Sequence, residues 1–386
     1  VTTQINAKTL DRRFAPVAEL LASYAQDDPT YSGQLAIYQH GELVVDMHVG
    51  DDCSDDSMTG VFSCSKGAGA LVMALLVQEG VLELEATVAE YWPEFATAGK
   101  EAMTVAQLLS HQGGLPGVEG GFTQEELIDS QLAAGILAAA QPLWNAPGIF
   151  TYHALSMGVF MEELARRAAQ ESLQSIFERR MRAPHDIDFY LGLPESLEER
   201  FRPVLKATAG DEAQFIDPYS TLGLALNSTA GFVGPEGPSF ELMDVPNTRA
   251  VREAGLAAIG GVANAHGLAT LYAAVTTGFV DASGDEHAPL LTAQTIAAVS
   301  QDRVYGFDRA SGNQNAFGIG FMKAHAGNDF GSARAFGHDG ANASLGYADP
   351  AYGLAFGYIP SRAEAGGTGS RGGRLSVLSR QVLLGG

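Results

Sequence analysis

Residues 34–49 read Gln34-Leu-Ala-Ile-Tyr-Gln-His-Gly-Glu-Leu-Val-Val-Asp-Met-His-Val49, two short apolar runs around His40-Gly41. Alternating runs joined by so short a glycine-containing turn predict a β-hairpin. Outward from it the pattern changes. Residues 63–79 contain an Ala-, Gly- and Leu-rich run, KGAGALVMALLVQEG from Lys66 onward, which predicts a helix ended by Gly80. Apolar residues at three- and four-residue spacing predict further helices over 124–140, 155–170 and 263–277. Residues 184–248 carry Pro and Gly throughout and show no strong period. Strand signals return in Phe317-Gly-Ile-Gly-Phe-Met322, Ala343-Ser-Leu-Gly-Tyr347 and Leu354-Ala-Phe-Gly-Tyr-Ile359. A Gly-rich loop over 364–373 and a closing helix over 374–384 complete the chain.

Strands at both ends with helices between predict an α/β protein of the α+β type. One antiparallel sheet, flanked by helices, is built from both termini, and a mostly helical domain is inserted in it. The expected division is a discontinuous sheet domain of residues 1–78 and 255–386 and a helical insert of 79–254. A catalytic cleft belongs between two such lobes.

Composition narrows the function. In 386 residues, 46% are hydrophobic and 18% charged, enough to bury a core. Lys plus Arg is 23 against 45 Asp plus Glu, a formal charge of −22. That field repels nucleic acid and anionic membranes, so neither is an expected partner. No apolar run approaches the roughly 18 residues of a membrane span, and residues 1–16 lack a basic-then-apolar signal pattern. The expectation is a cytoplasmic enzyme. Cys53 and Cys64 form no disulfide framework, and the nine histidines show no zinc spacing. Gly-x-Ser-x-Gly, His-Glu-x-x-His and phosphate-binding glycine motifs are all absent, so no metal or nucleotide cofactor is expected.

What is present is Phe62-Ser63-Cys64-Ser65-Lys66, the chain's only Ser-x-x-Lys, opening the apolar helix. Residues three apart share a helix face, so the Lys66 amine reaches the Ser63 hydroxyl. A desolvated lysine can act as the base that a serine nucleophile needs. The helix N-terminus adds backbone N–H groups aimed at developing negative charge. A charged lysine in so apolar a helix would otherwise be costly. Cys64, about 100° round the helix from Ser63, is expected to be buried and inert.

Two further stretches fit. Tyr152 follows the Pro147-Gly148 turn just before a helix. Alone it reads as a core aromatic; beside Lys66 its phenolate would be stabilised by the cation, making it a proton shuttle. Phe336-Gly337-His338-Asp339-Gly340-Ala341 reads either as an ordinary glycine turn or as the approach to a substrate-binding strand. In the second reading Gly340 leaves room for substrate and the Ala341 N–H donates to an oxyanion.

These motifs together resemble the serine β-lactamase and penicillin-binding-protein-like superfamily, class C branch, and most of all the family VIII carboxylesterases. Ser63-x-x-Lys66, the turn Leu108-Leu-Ser-His-Gln-Gly-Gly-Leu-Pro116, Tyr152-His-Ala154 and His338-Asp-Gly340 with Ala-Asn-Ala-Ser-Leu-Gly-Tyr-Ala-Asp-Pro350 occur in the family's order over most of the chain. The resemblance implies the β-lactamase/DD-peptidase-like fold. It also implies Ser63 as nucleophile, Lys66 and Tyr152 sharing its proton, and the N–H groups of Ser63 and Ala341 as oxyanion hole. His338, Asp339 and Gly340 would contact substrate, and His111 would be structural.

Departures from the family pattern choose among activities. A typical β-lactamase has Asn two residues past the tyrosine, and this chain has Ala154. Lys-Thr-Gly on the last strand is His338-Asp339-Gly340 here, which replaces a fixed cation by a mostly neutral histidine and a hydroxyl by a carboxylate. Asp339 would repel the carboxylate of a penicillin or a peptide terminus. The expected activity is therefore a serine carboxylesterase acting on small, short-chain esters through an acyl-enzyme and needing no cofactor. A β-lactamase, a D-aminopeptidase or amidase, an acyltransferase, and a non-catalytic binding module are the alternatives.

Overall fold

The computed structural model describes residues 6–207, 217, 219–226, 242–364 and 370–385. Its first hairpin follows from two residues. His40 (φ 50°) and Gly41 (φ 85°) both take positive φ, the geometry of a two-residue turn whose twist matches a sheet. They join β2 (Gly33–Gln39) to β3 (Glu42–Val49), with Gly33 opposite Val49, and β1 (Asn6–Leu10) pairs outside β3. Side chains along β2 alternate between two cores. Leu35 and Ile37 pack with the helix α1 (Ala15–Asp27), while Ala36 and Tyr38 face the opposite way.

The next helix, α2 (Cys64–Gln78), is buried on every side from Cys64 to Leu76, so it is a central helix with no polar face. Two glycines make that packing close. A Cβ on Gly67 would lie 2.2 Å from the Tyr272 hydroxyl, and one on Gly69 would lie 2.8 Å from Met161 Cε. Ahead of α2, β4 (Thr59–Gly60) pairs with β6 (Val262–Ala263), which also pairs with β5 (Phe189–Tyr190). The middle of the chain is chiefly helical. It contributes α3 (Val88–Tyr91), α4 (Val105–Leu109), α5 (Gln124–Ile128), α6 (Ser130–Ala139), α7 (Ser156–Ala169) and α8 (Leu173–Phe177). The short α9 (Thr221–Leu226) and α10 (Arg249–Ala254) follow, then α11 (Ala265–Thr276). A small hairpin of β7 (Phe279–Val280) and β8 (Glu286–His287) precedes α12 (Ala293–Ser300).

The C-terminal part returns to the sheet with β9 (Val304–Phe307), β10 (Gln314–Phe317), β11 (Met322–Lys323), β12 (Phe336–Asp339), β13 (Leu345–Asp349) and β14 (Leu354–Pro360). Among the described residues nine strands form one antiparallel sheet in the order β1-β3-β2-β14-β13-β12-β11-β10-β9. Its two halves are joined where β14 runs beside β2, from Leu354 opposite Gln39 to Pro360 opposite Gly33. The sheet is thus built from both ends of the chain, with the mostly helical segment inserted between them. One face is covered by α1 and α13 (Ser370–Leu383), and α2 and α11 pack on the other.

Several local expectations change. Residues 317–322 are a hairpin and not one strand: Gly320 takes φ 69°, and the Gly318 N–H donates to the Phe321 carbonyl. The helix expected over 124–140 divides at Asp129, whose carboxylate accepts the Gln131 N–H and caps α6. Of the two readings of residues 336–341, β12 bears out the strand and not the glycine turn. The closing helix begins at Ser370, inside the stretch read as a loop, and residues 365–369 of that stretch lie outside the described residues.

Candidate active site

Phe62 holds φ 48°, a left-handed conformation that costs a bulky residue of order 1–3 kcal/mol. Surrounding bonds hold it in place. The Val61 N–H donates to the Gly261 carbonyl at 3.0 Å, while Ser65 Oγ donates to the Phe62 carbonyl and accepts the Gly261 N–H at 2.8 Å. The sharp turn leaves Ser63 partly exposed at the N-cap of α2. One turn on, Lys66 is wholly buried, with Nζ 3.0 Å from Ser63 Oγ and donating to the Ala258 carbonyl at 2.9 Å. Burial pushes its amine down from the ordinary lysine value to about 7, against the opposing pull of Asp339. A large neutral fraction near pH 7 follows.

Tyr152 completes the group by donating its phenolic O–H to Ser63 Oγ at 2.9 Å. Burial pushes this phenol far above its ordinary value, although the Ser63 hydrogen bond opposes the shift. The expected phenolate is therefore disfavoured. Lys66 is the group able to accept a proton, and Tyr152 is a phenol poised to give one. Its backbone is fixed by Asp308, which accepts the Tyr152 N–H at 2.7 Å and the Thr151 hydroxyl at 3.1 Å. His111 supports the same segment: its ring lies 5.2 Å from the Tyr152 ring, and its Nδ1 accepts the His153 N–H at 2.9 Å.

Opposite Ser63 runs the end of β12. A Cβ on Gly340 would lie 2.5 Å from the Val61 carbonyl oxygen, so glycine here serves the close approach of this strand to the Ser63 turn. Asn342 ties the next residues down by donating to the Gly60 carbonyl at 3.1 Å and accepting from the Ser344 hydroxyl at 2.9 Å. Ala341 is thereby held against the same cleft as Ser63. Among the described residues neither the Ser63 N–H nor the Ala341 N–H donates a hydrogen bond. Two free N–H groups on residues that line one cleft can bind an oxyanion.

The cleft measures about 590 Å³ and is lined by Ser63, Tyr152, Asp339, Gly340 and Ala341 among others. His338 does not reach it. Its ring is completely buried behind Tyr152, with centroids 5.9 Å apart, and its Nδ1 is 2.7 Å from the Asp339 carbonyl oxygen. Burial, reinforced by Lys66, lowers it to about 3, so the imidazole is neutral. Asp339 does reach the cleft. Burial raises its carboxyl to about 7, opposed by the hydrogen bond from Asn328 Nδ2 at 3.0 Å. Cys64 is buried as expected, 3.2 Å from the His338 carbonyl, and its thiol is raised by burial. Leu222 and Ala225 on α9 also line the cleft, so the irregular region contributes a wall.

Sequence reading missed Asp308, Asn328 and the Ala258 carbonyl. Asp308-Arg-Ala-Ser carries the local signature of an Asx turn, with Asp308 accepting the Ala310 and Ser311 N–H groups. Nothing in that signature points to Tyr152, 156 residues away in sequence. Among the described residues no group of three His, Cys, Asp or Glu side chains is placed to hold a metal ion, and no helix is long and apolar enough to cross a membrane.

The Beta-lactamase family matches residues 17–377. A curated relative, Esterase/beta-lactamase LipL of Mycobacterium tuberculosis, is 31% identical over 362 residues, covering 91% of this chain and 82% of that protein. The structure of EstA from Arthrobacter nitroguajacolicus Rue61a is 50% identical, with a TM-score of 0.92 over 98% of this chain and 99% of that one. A family VIII carboxylesterase crystal structure is 28% identical, with a TM-score of 0.86 over 98% of this chain and 100% of the other.

Proposed function

The chain belongs to the Beta-lactamase family, as a serine hydrolase of the family VIII carboxylesterase type, and on that premise we propose that it hydrolyses small carboxylic esters through an acyl-enzyme on Ser63. The observation that carries this reading is the convergence of Lys66 Nζ and the Tyr152 hydroxyl on Ser63 Oγ, at 3.0 and 2.9 Å.

Neutral Lys66 takes the Ser63 proton as Oγ attacks the ester carbonyl carbon. The negative charge that forms on the carbonyl oxygen lies between the N–H groups of Ser63 and Ala341, at the N-terminal end of α2. When the intermediate collapses the carbon–alkoxy bond breaks. Tyr152 gives its proton to the leaving alcohol, and the Lys66 ammonium restores it. Water then attacks the acyl carbon, losing a proton to the same pair, and Ser63 Oγ leaves with its proton returned. Lys66 Nζ and the Tyr152 hydroxyl are both already within hydrogen-bond reach of Ser63 Oγ.

The relative named as an esterase/beta-lactamase makes a β-lactam the second substrate to consider. The cleft argues for the ester. Position 154 is alanine, and the strand beside Ser63 brings to the cleft wall Asp339, whose carboxylate would repel a lactam's own carboxylate, while the neutral His338 supplies no cation. The test is p-nitrophenyl butyrate hydrolysis by wild type and Ser63→Ala, with nitrocefin in parallel. Turnover by wild type that falls to background in the variant is expected. Equal activity of both proteins, or nitrocefin turned over faster than the ester, contradicts the reading.

A further inference from the structure

In the mechanism above the alcohol departs beside Tyr152, and Asp339 is the cleft carboxylate with capacity left to meet it. Asn328 is the one side chain that donates to Asp339 among the described residues, and it donates to Oδ2. The other oxygen, Oδ1, lies 3.6 Å from His338 Nδ1, but that nitrogen is committed to the Asp339 main-chain carbonyl at 2.7 Å. The carboxylate also takes its own backbone N–H, so with Asn328 it holds two donors against the five of Asp308 and lines the cleft with acceptor capacity left. Asp308, the other acid on this wall, is saturated by backbone and side-chain donors.

Among the described residues the cleft wall adds no Lys or Arg to the Lys66 amine that already acts on Asp339, and Lys66 sits wholly buried beneath. His325 is kept neutral by burial and accepts the Gly327 N–H through Nδ1. The opposite wall offers the uncharged side chains of Ser311, Asn313, Gln314 and Asn315. Beyond the cleft, the formal charge of −22 gives the whole molecule a field that draws cations inward.

We propose that Asp339 is a specificity-determining residue that selects esters whose alcohol part carries a positive charge, of the ammonium class. The inference rests on the ester reading and extends it from which bond is cleaved to which alcohol is preferred.

Three acetyl thioesters test it: acetylthiocholine, its uncharged carbon isostere 3,3-dimethylbutyl thioacetate, and anionic S-acetyl-3-mercaptopropionate. All give the same acetyl-enzyme, so differences in kcat/KM report acylation alone, and the released thiol is read directly. At a pH of about 8.5, where Asp339 is ionised, the cation should be preferred over the isostere roughly tenfold and the isostere over the anion by a similar factor. Added salt should shrink both ratios. Asp339→Asn should bring the cation-to-isostere ratio to within about twofold. A wild-type enzyme that uses the isostere as well as the cation overturns the proposal, whatever the variant does. So does an Asn variant that keeps the wild-type ratio. Failure of wild type on all three thioesters overturns the ester reading, and this inference with it.

Discussion

Two aspartates line the same cleft and do opposite things. Asp308, almost completely buried, accepts the Tyr152 N–H, the Thr151 hydroxyl, two turn N–H groups and, at 3.4 Å, the Asn315 amide. Asp339, also buried, has one side-chain donor, and burial raises its carboxyl to about 7. Surrounding donors turn the first carboxylate into a structural joint that fixes where the phenol stands. Lack of them leaves the second available to substrate and to the field around Lys66. Burial alone does not separate the two; the count of donors does.

The comparison breaks most visibly through the group that Asp308 holds. Tyr152→Phe should fold normally and lose about 10²–10⁴ in kcat, the ordinary worth of a positioned proton donor. A Phe variant near the wild-type rate would remove Tyr152, and with it the point of Asp308. Asp308→Asn should lose about 10–10² in kcat through a displaced Tyr152. It should also lose about 2–4 kcal/mol of stability, because an amide turns N–H groups toward donors that need an acceptor. Thermal melting and steady-state rates on p-nitrophenyl butyrate check both. An Asn variant as stable and as fast as wild type would make the two aspartates equivalent.

Asp339→Asn should differ in sign. Between the ordinary carboxylate value of 3.8 and about 7 the folded protein holds a proton that the unfolded chain has lost, so stability drawn from this group fades as pH rises through 7. Near pH 8 wild type bears a buried charge that the Asn variant lacks, and the variant should melt at the same temperature or higher. A clear fall in Tm there would show that Asp339 is a joint like Asp308. The same substitution sharpens the kinetic account. kcat/KM for a neutral ester should rise through about pH 7 as Lys66 becomes neutral. Because Asp339 pulls the Lys66 amine upward, its removal should move that limb to lower pH. A shift to higher pH contradicts this coupling. The smallest effect belongs to Cys64→Ser: the thiol is buried and donates to the His338 carbonyl, so activity should change by less than about threefold. A loss beyond about tenfold with the fold intact would give Cys64 a role.

The same distinction between local and distant partners decides what was legible in the sequence. Ser63 and Lys66 are three residues apart on one helix, so their contact follows from helical geometry. The β2–β3 hairpin was readable for a similar reason, since its turn and both strands lie within one short stretch. Tyr152 becomes a site residue only beside Lys66, which the order of motifs supplied and periodicity did not. Asp308 was illegible, because its reason is a backbone N–H on a distant segment. The Ala258 carbonyl that holds Lys66 was equally hidden, since a main-chain oxygen leaves no mark on residue type. His338 shows the converse. Its motif was visible, but the side chain points behind Tyr152 and leaves Asp339 at the cleft wall. Gly340 lines the cleft, and the nearby Val61 carbonyl, which no motif announces, also excludes a side chain there.

The most direct test of the central claim is to mix wild-type enzyme with excess p-nitrophenyl butyrate, quench in acid within one turnover, and map the peptides by mass. A butyryl group on the peptide carrying Ser63, absent from the Ser63→Ala protein, is the predicted result. Ester turnover with the acyl group on another residue, or with no covalent adduct formed, would contradict it.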